Sequence, residues 1–214
     1  MNRIELQYIL PDVFEGKDDL HSEIWKQSVV FEKGHSYLIE AASGTGKSSL
    51  CSFIFGYRKD YKGMICFDHI DVRNFSTARW VEIRQREIGM LFQELRLFPE
   101  LTASENVIIK NKLTKYRSTQ QLKAWFEALG IADKWDQPVA KMSFGQQQRV
   151  AFIRMLCQPA DFYFLDEPVS HLDSVNGAHM ATILKDEMNH QGNGVIVTSI
   201  GQRLTMDYTT LLKL

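Results

Sequence analysis

The chain has 214 residues, with 25 basic and 26 acidic side chains and 44% hydrophobic residues. This length suits one large domain or a domain with a subdomain, and an 11% aromatic content excludes a disordered polymer. The net charge of −1 argues against a nucleic-acid partner, which would need a basic surface. The three cysteines lack paired spacing, and no apolar run approaches the roughly 18 residues of a membrane span. We therefore expect a cytoplasmic chain.

Short apolar runs alternate with helical patterns along the chain. Strands are predicted at residues 36–39, 63–67, 162–165 and 194–199, and helices at residues 48–55 and 119–129. The apolar strands are continuous rather than alternating, which is typical of a sheet covered on both faces. Few strand signals occur from about residue 102 to 156. The pattern predicts an α/β fold with a mainly parallel sheet and an inserted helical subdomain.

A glycine-rich turn follows the first of these strands. Residues 41–48 read Ala-Ala-Ser-Gly-Thr-Gly-Lys-Ser. Backbone N–H groups in such a turn cradle phosphate oxygens, and the following helix N-terminus adds partial positive charge. Lys47 is predicted to reach the β- and γ-phosphates of a nucleotide, and the Ser48 hydroxyl to hold Mg²⁺. Ala41 stands where this phosphate-binding loop (P-loop) has its first glycine, and alanine is tolerated there if its φ is negative. The candidate nucleotide-binding residues are Ala41, Ala42, Ser43, Gly44, Thr45, Gly46, Lys47, Ser48 and Ser49.

Two carboxylates follow the strand predicted at residues 162–165. They are Asp166 and Glu167, followed by Pro168. Open α/β sheets bind ligands at the carboxyl ends of their strands. Asp166 would then coordinate Mg²⁺ through water, and Glu167 would polarise the water that attacks the γ-phosphate. A strand followed by an acidic turn is common in its own right, and the P-loop is what favours the catalytic interpretation.

Further segments resemble the ATP-binding cassette (ABC) ATPases. Residues 142–149, Met-Ser-Phe-Gly-Gln-Gln-Gln-Arg, are similar to the family signature Leu-Ser-Gly-Gly-Gln and its continuation. Residues 170–173 are similar to the D-loop, and residues 89–93 to the Q-loop. The resemblance runs in order over nearly the whole chain. Within the family, it is strongest to the short stand-alone cassettes of lipoprotein-release, macrolide-export and cell-division systems.

The resemblance implies a P-loop NTPase core with an inserted helical subdomain, the ABC ATPase fold. Residues 1–214 would form one ABC ATPase domain. Its nucleotide-binding core would comprise approximately residues 1–92 and 157–214, and residues 93–156 would form the helical subdomain that carries the signature.

The resemblance also implies roles for individual residues. Two cassettes pair head to tail, so that ATP lies between the P-loop of one and the signature of the other. Gln93 would sense Mg²⁺ and the attacking water. The implied catalytic residues are Glu167, Gln93 and Lys47; the metal residues are Ser48, Gln93 and Asp166; the signature residues are Ser143, Phe144, Gly145 and Gln146; and the D-loop residues are Ser170 and Asp173.

An aromatic residue near the N-terminus stacks on adenine in this family. Phe14 is the first candidate and Tyr8 the second, and a structural role is equally open for either.

Two residues depart from the family pattern. Ile200 stands where a switch histidine contacts the γ-phosphate, and it cannot donate a hydrogen bond. Phe144 replaces the first signature glycine, and we expect it to distort the backbone there. His171 in the D-loop is a candidate substitute imidazole, although a solvated or interface histidine is the favoured interpretation.

The resemblance implies an ATP-hydrolysing subunit that couples dimer closure and reopening to a separate integral membrane permease. The chain would be peripheral on the inner face of the cell membrane. The alternative is an ATP-dependent dimerisation switch with little hydrolysis, which Ile200 and Phe144 would favour. A P-loop kinase would not explain the signature and D-loop segments. A DNA-repair cassette lacks room for its coiled coil between Gln93 and Ser143.

Overall fold

The computed structural model describes residues 1–16 and 20–214. In these residues the strands are β1 (Arg3–Pro11), β2 (Ser28–Glu32), β3 (Ser36–Glu40), β4 (Tyr61–Phe67), β5 (Ile70–Asp71), β6 (Ile88–Leu91), β7 (Phe162–Asp166), β8 (Gly194–Ser199) and β9 (Thr210–Lys213). The α-helices are α1 (Lys47–Ile54), α2 (Thr77–Arg86), α3 (Ala103–Asn111), α4 (Thr119–Ala128), α5 (Phe144–Leu156) and α6 (Ser174–Gln191).

A parallel sheet forms the middle layer of the molecule. Its strand order is β6-β7-β8-β3-β9, and every neighbouring pair is parallel. All residues of β7 and β8 are buried, as expected of strands covered on both faces. The predicted α/β class and the strands at residues 36–39, 162–165 and 194–199 are confirmed.

The two faces of this sheet contact different apolar cores. Phe162 and Phe164 of β7 pack with helix α1 and the N-terminal strands, whereas Tyr163 and Leu165 pack with helices α3 to α6. This division follows from the two-residue period of a strand, which sends successive side chains to opposite faces. The parallel sheet therefore separates an N-terminal layer from a helical layer.

A second, antiparallel sheet forms the outer part of the N-terminal layer. Its strand order is β2-β1-β4-β5. The strand predicted at residues 63–67 belongs to this sheet, and sequence patterning did not predict β1, β2 or β5. Strand β2 alternates buried and exposed residues because only one of its faces meets the core. The pairing of β1 with β4 shifts register between Gln7 and Leu10, which interrupts its periodicity.

Helices fill the chain between β6 and β7. Helices α3, α4 and α5 lie there, and no strand occurs between Leu91 and Phe162 in a stretch that the structure describes in full. Helix α3 begins with a capping box in which Thr102 and Glu105 bond each other's backbone N–H groups. The helical block predicted from about residue 102 to 156 is confirmed. No helix in the described parts of the chain is both long and apolar enough to span a bilayer.

Candidate nucleotide-binding site

The glycine-rich loop connects the end of β3 to the start of α1. Gly44 and Gly46 have φ values of 81° and 94°, a region that favours glycine. A Cβ atom on Gly46 would lie 2.8 Å from the Phe14 ring and 3.0 Å from Trp25, so this position also lacks room for a side chain. Ala41 is not among the residues with positive φ, and its N–H donates to the Ser199 carbonyl at 3.0 Å. The condition for alanine at this position is therefore met.

Trp25 packs against the glycine-rich loop and bonds to it, a role that the sequence did not predict. Its indole Nε1 donates a 2.8 Å hydrogen bond to the Thr45 carbonyl, and the residue is buried. Its ring lies 6.3 Å from that of Phe14. Trp25 is distant in sequence from the glycine-rich turn and follows no motif. Only the folded chain brings its indole to the loop.

Lys47 and the two carboxylates after β7 form a buried charged cluster. The Lys47 Nζ lies 3.5 Å from Asp166 Oδ1 and also contacts the Glu167 carboxylate. Thr198 Oγ1 donates to Asp166 Oδ1 at 2.6 Å from the register-paired position on β8. Burial, followed by the negative charge of Asp166, raises the pKa of the nearby Cys51 thiol. Among the described residues, Lys47 is thus the cation that contacts both carboxylates.

Glu167 has an unusual backbone conformation. Its φ is 49°, a left-handed value that costs a non-glycine residue about 1–2 kcal/mol. Four hydrogen bonds hold it. Its N–H donates to the Thr198 carbonyl at 3.2 Å, and its own carbonyl accepts from Gln148 Nε2 at 3.1 Å and from the hydroxyl and the backbone N–H of Ser170 at 3.3 and 3.4 Å. Such strain persists where the surroundings enforce it, and it clusters at functional sites. The Glu167 side chain is thereby directed to Lys47.

An open cavity of about 400 Å³ lies over this cluster. It is lined by Val13, Phe14, Ala42, Ser43, Gly44, Gly46, Lys47, Ser48, Ser49, Gln93, Glu167 and Ile200. The structure thus brings the P-loop together with Gln93, Glu167 and the residue at the switch position. Ala41, Thr45 and Asp166 are not in the lining, and the first and last of these are buried. The lining contains both the phosphate-binding and the water-polarising candidates.

The two adenine-stacking candidates lie in different places. Phe14 lines the cavity but is only 7% exposed, since its ring packs on Trp25. Tyr8 is 67% exposed and lies outside the lining. Val13, which the sequence did not single out, is 62% exposed at the cavity edge. The position of Phe14 fits an adenine contact better than that of Tyr8, and stacking remains a prediction.

The signature residues form the N-terminus of α5. Ser143 is the N-cap, and a capping box joins it to Gln146: each side chain accepts a hydrogen bond from the other's backbone N–H, at 3.3 and 3.0 Å. Phe144 is the first helical residue and does not have positive φ. The expected backbone distortion at Phe144 is therefore absent, because a helical backbone accommodates phenylalanine without strain.

The signature and the D-loop are in contact within the chain. The Phe144 and His171 rings lie 4.3 Å apart, and His171 Nδ1 lies 2.9 Å from Ser170 Oγ. A Cβ atom on Gly145 would lie 2.9 Å from the His171 carbonyl, so glycine permits this close approach. None of these residues lines the cavity above Lys47. His171 therefore does not take the place of the switch histidine within its own chain.

Asp173 begins α6 as its N-cap. Its carboxylate accepts from the Asn176 N–H at 2.8 Å, and this bond, reinforced by the Asn176 side chain, lowers the pKa of the Asp173 carboxyl. Arg149 of α5 donates to Asn176 Oδ1 at 2.7 Å. The D-loop is thereby linked to the helix that carries the signature.

Comparisons with known proteins agree with this geometry. The ABC transporter family pattern matches residues 26–170. The chain is 28% identical over its whole length to the macrolide export ATP-binding/permease protein MacB of Aggregatibacter actinomycetemcomitans, of which it covers 33%. It is 29% identical over 175 residues to the lipoprotein-releasing system ATP-binding protein LolD of Shewanella frigidimarina, a match that covers 80% of this chain and 73% of LolD. The chain thus spans about a third of MacB but most of LolD.

Solved structures of the bacterial ABC transporter cassette MJ0796 are similar to this chain. Its dimeric structure matches with a TM-score of 0.75 and 28% identity, over 92% of this chain and 87% of that one. A second dimeric structure of the same protein, in a post-hydrolysis state bound to ADP and Pi, matches with a TM-score of 0.74 and 27% identity over the same shares. The family pattern covers well over half of the chain, and the P-loop, Gln93 and Glu167 meet at one cavity. The chain therefore belongs to the ABC transporter family, as one of its ATP-binding, ATP-hydrolysing cassettes.

Proposed function

We propose that this cassette binds Mg²⁺-ATP in the cavity above Lys47 and hydrolyses it to drive a separate membrane permease. The observation that supports this most is that one cavity is lined by the P-loop, Gln93 and Glu167. Backbone N–H groups that bind phosphate, a lysine and a side chain that orients or deprotonates the attacking water are groups that catalyse phosphoryl transfer to water.

The P-loop would hold the triphosphate through its backbone N–H groups and through Lys47. An anionic phosphate would replace the Glu167 carboxylate as the partner of the Lys47 ammonium. Glu167 would then be free to accept a proton from the attacking water, and Gln93 would orient that water. Ile200 lines the same cavity but carries no polar atom, so it would leave one potential donor out of the transition state.

The residues present fit a magnesium ion bound together with the nucleotide. Ser48, Gln93 and Asp166 offer oxygen ligands, which Mg²⁺ prefers, and Mg²⁺ is bound by one or two carboxylates plus substrate phosphates. Ser48 is exposed in the cavity, whereas Asp166 is buried against Thr198. The ion would supply charge neutralisation for the β- and γ-phosphates.

A second cassette would complete the site. The Ser143 hydroxyl accepts the capping bond and keeps its own proton, so it can donate to a phosphate oxygen across the interface, as can the N–H of Gly145. Because the signature does not line the chain's own cavity, it would act on the nucleotide of a partner. The dimeric structures of MJ0796 support this arrangement.

The membrane partner is proposed from the relatives. MacB is named as an ATP-binding/permease protein and LolD as the ATP-binding protein of a lipoprotein-releasing system. This chain would work on the cytoplasmic side, held at the membrane by its permease, with no nucleic acid involved. The permease would dock near Gln93 and the helical subdomain of residues 93–156. Residues 1–92 and 157–214 would form the core of the single domain of residues 1–214.

Steady-state ATP hydrolysis and ATP binding by the purified chain test this function. We expect Lys47→Ala to weaken ATP binding by roughly 10–100-fold, because a charge-assisted contact to phosphate is lost. Glu167→Gln should retain ATP binding and lower turnover by roughly 10²–10⁴-fold. The Lys112→Ala variant removes an exposed lysine of the helical layer and is the matched control.

The outcomes separate the main proposal from its alternative. Lys47-dependent ATP binding and dimerisation without measurable turnover would instead support the dimerisation switch, for which Phe144 and Ile200 are the motivating residues. ATP binding that is unchanged in Lys47→Ala would contradict both. Neither the fold nor the relatives favour the switch over a hydrolysing cassette.

A further inference from the structure

One peptide group of the P-loop, between Thr45 and Gly46, is bonded by Trp25. The indole Nε1 donates its 2.8 Å hydrogen bond to the Thr45 carbonyl, and among residues 1–16 and 20–214 no other group donates to this oxygen. The backbone ladder of α1 starts one residue later, where the Leu50 N–H donates to the Gly46 carbonyl at 2.9 Å. Without the indole, the Thr45 carbonyl would therefore have no partner in the described chain.

The same peptide group carries the N–H of Gly46. Its bond is trans, so its C=O and its N–H point in opposite directions. While the indole holds the Thr45 carbonyl, the Gly46 N–H points away from Trp25. In the parts of the chain that the structure describes, this N–H donates to no protein atom, and Gly46 lines the nucleotide cavity whereas Trp25 does not. The N–H is thus available to a ligand.

Packing beside Gly46 supports this orientation. Trp25 is 2% exposed, and a Cβ atom on Gly46 would lie 3.0 Å from its ring and 2.8 Å from the Phe14 ring. If the peptide group turned over, the Thr45 carbonyl would lose its indole donor. Its oxygen would then face the side from which the N–H is offered, and it would repel the oxygens of a phosphate instead of binding them.

We propose that Trp25 is a positioning residue for phosphate binding: by holding the Thr45 carbonyl, it presents the Gly46 N–H to the phosphate chain of the nucleotide. Its ring is outside the cavity lining, so it acts through the loop and not by touching the ligand. This inference rests on the proposed function, because it concerns the phosphate site of that function. It adds a residue far from the glycine-rich turn on which phosphate affinity depends.

Binding of ADP and of inorganic tripolyphosphate by the purified chain, measured by isothermal titration calorimetry, tests the proposal. Trp25→Phe keeps an aromatic ring but removes the indole N–H, and we expect it to bind both ligands roughly threefold to tenfold more weakly. Tripolyphosphate has no base, so its loss of affinity must arise at the phosphate site. Trp80→Phe is the matched control, since Trp80 is also buried but lies outside the cavity lining, and its affinities should equal those of the wild type.

A second substitution keeps the proposal testable if Trp25→Phe perturbs the fold. Benzothienylalanine in place of Trp25 has a ring of nearly the same size as indole, with sulfur instead of the N–H. It should weaken binding as Trp25→Phe does, whereas the same replacement of Trp80 should not. In steady-state ATP hydrolysis, loss of the indole N–H should raise KM by the same factor and leave kcat within about twofold of the wild type, because Glu167 and Gln93 are unchanged.

Equal affinities of the Trp25 and Trp80 variants would overturn the proposal. A loss of affinity for ADP without a loss for tripolyphosphate would also overturn it, because Trp25 would then act on the base and not on the phosphates. A fall in kcat with an unchanged KM would contradict it too, since the indole would then affect the chemical step. A wild type that binds neither ligand would overturn the proposed function together with this inference, whereas a wild type that binds both, unaffected by loss of the indole N–H, would overturn this inference alone.

Discussion

The P-loop and the signature, the two surfaces proposed to face ATP from opposite sides, differ in how they use charge. At the P-loop, Lys47 is buried against Asp166 and Glu167. At the signature, Ser143 and Gln146 satisfy each other through a capping box, and no formal charge is involved. The first surface is a charged cluster whose ion pairs would have to rearrange when a phosphate binds. The second surface has these hydrogen bonds satisfied within the chain, without a ligand.

This difference explains which substitutions each surface tolerates. Removing a polar or charged group at the P-loop leaves its partner unpaired, which is costly in a buried site. Phe144 in the signature sits on a helical backbone and leaves the cap intact, so its side chain packs on His171 without disturbing the donors. Ile200 is the exception on the P-loop side, because it replaces a donor with an apolar group.

Among the substitutions that compare these two surfaces, the largest expected effect comes from introducing a donor at Ile200. Ile200→His should raise ATP turnover by roughly 10–100-fold, because a single transition-state donor contributes about 10²–10³ in rate. Ile200 lines the nucleotide cavity with Glu167 and is 45% exposed, so an imidazole has room there. Steady-state phosphate release at saturating ATP is the measurement.

Ile200→Leu is the matched control, since it changes shape without adding a donor, and its turnover should stay at the wild-type level. Equal turnover of Ile200→His and Ile200→Leu would show that this position does not face the γ-phosphate. Turnover would then be no more sensitive to substitution at position 200 than to substitution in the signature.

An intermediate effect is expected where the signature approaches the D-loop. Gly145→Ala should lower the free energy of unfolding by about 1 kcal/mol, because overpacking costs about 1–3 kcal/mol and the better helix propensity of alanine returns up to about 1 kcal/mol. The new Cβ would lie 2.9 Å from the His171 carbonyl and 3.2 Å from a Leu172 methyl. Urea denaturation measures the change.

Gly177→Ala in α6 is the control for this prediction. Its Cβ would meet Val169 at an ordinary 3.5 Å, so the helix propensity of alanine should make this variant more stable by roughly 0.5–1 kcal/mol. If both variants were stabilised to the same extent, the close contact between signature and D-loop would be refuted.

The smallest effect is expected for His171→Ala. Loss of the exposed ring contact with Phe144 should lower the free energy of unfolding by about 0.5 kcal/mol. Turnover should remain within about twofold of the wild type, since the imidazole lies outside the nucleotide cavity of its own chain. A tenfold fall in turnover would show that His171 supplies the missing imidazole across the dimer.

The sequence predicted the elements whose signals are local. Continuous apolar runs identified β3, β7 and β8, and the residues directly after these strands include the P-loop, Glu167 and Ile200. Because the strands are parallel, their carboxyl ends meet at one edge, so the main site residues could be predicted to lie together.

Features that depend on contacts distant in sequence escaped prediction. Strands β1 and β2 have an interrupted or one-sided pattern, so the antiparallel sheet was missed. Trp25 reaches Thr45 only after folding. The prediction of a distorted backbone at Phe144 was wrong. Its backbone is helical because the cap at Ser143 starts the helix there, and comparing phenylalanine with the family's glycine does not reveal that cap.

The pairing of Lys47 with Glu167 has a consequence for how the empty cassette behaves. While the Glu167 carboxylate contacts the Lys47 ammonium, it is not free to contact water, so water entering the empty cavity would find the proposed base occupied. Under the proposed function, the triphosphate would draw the lysine away and free the Glu167 carboxylate in the same event. The ion pair would then make hydrolysis conditional on the substrate being in place, at the expense of part of the affinity for ATP.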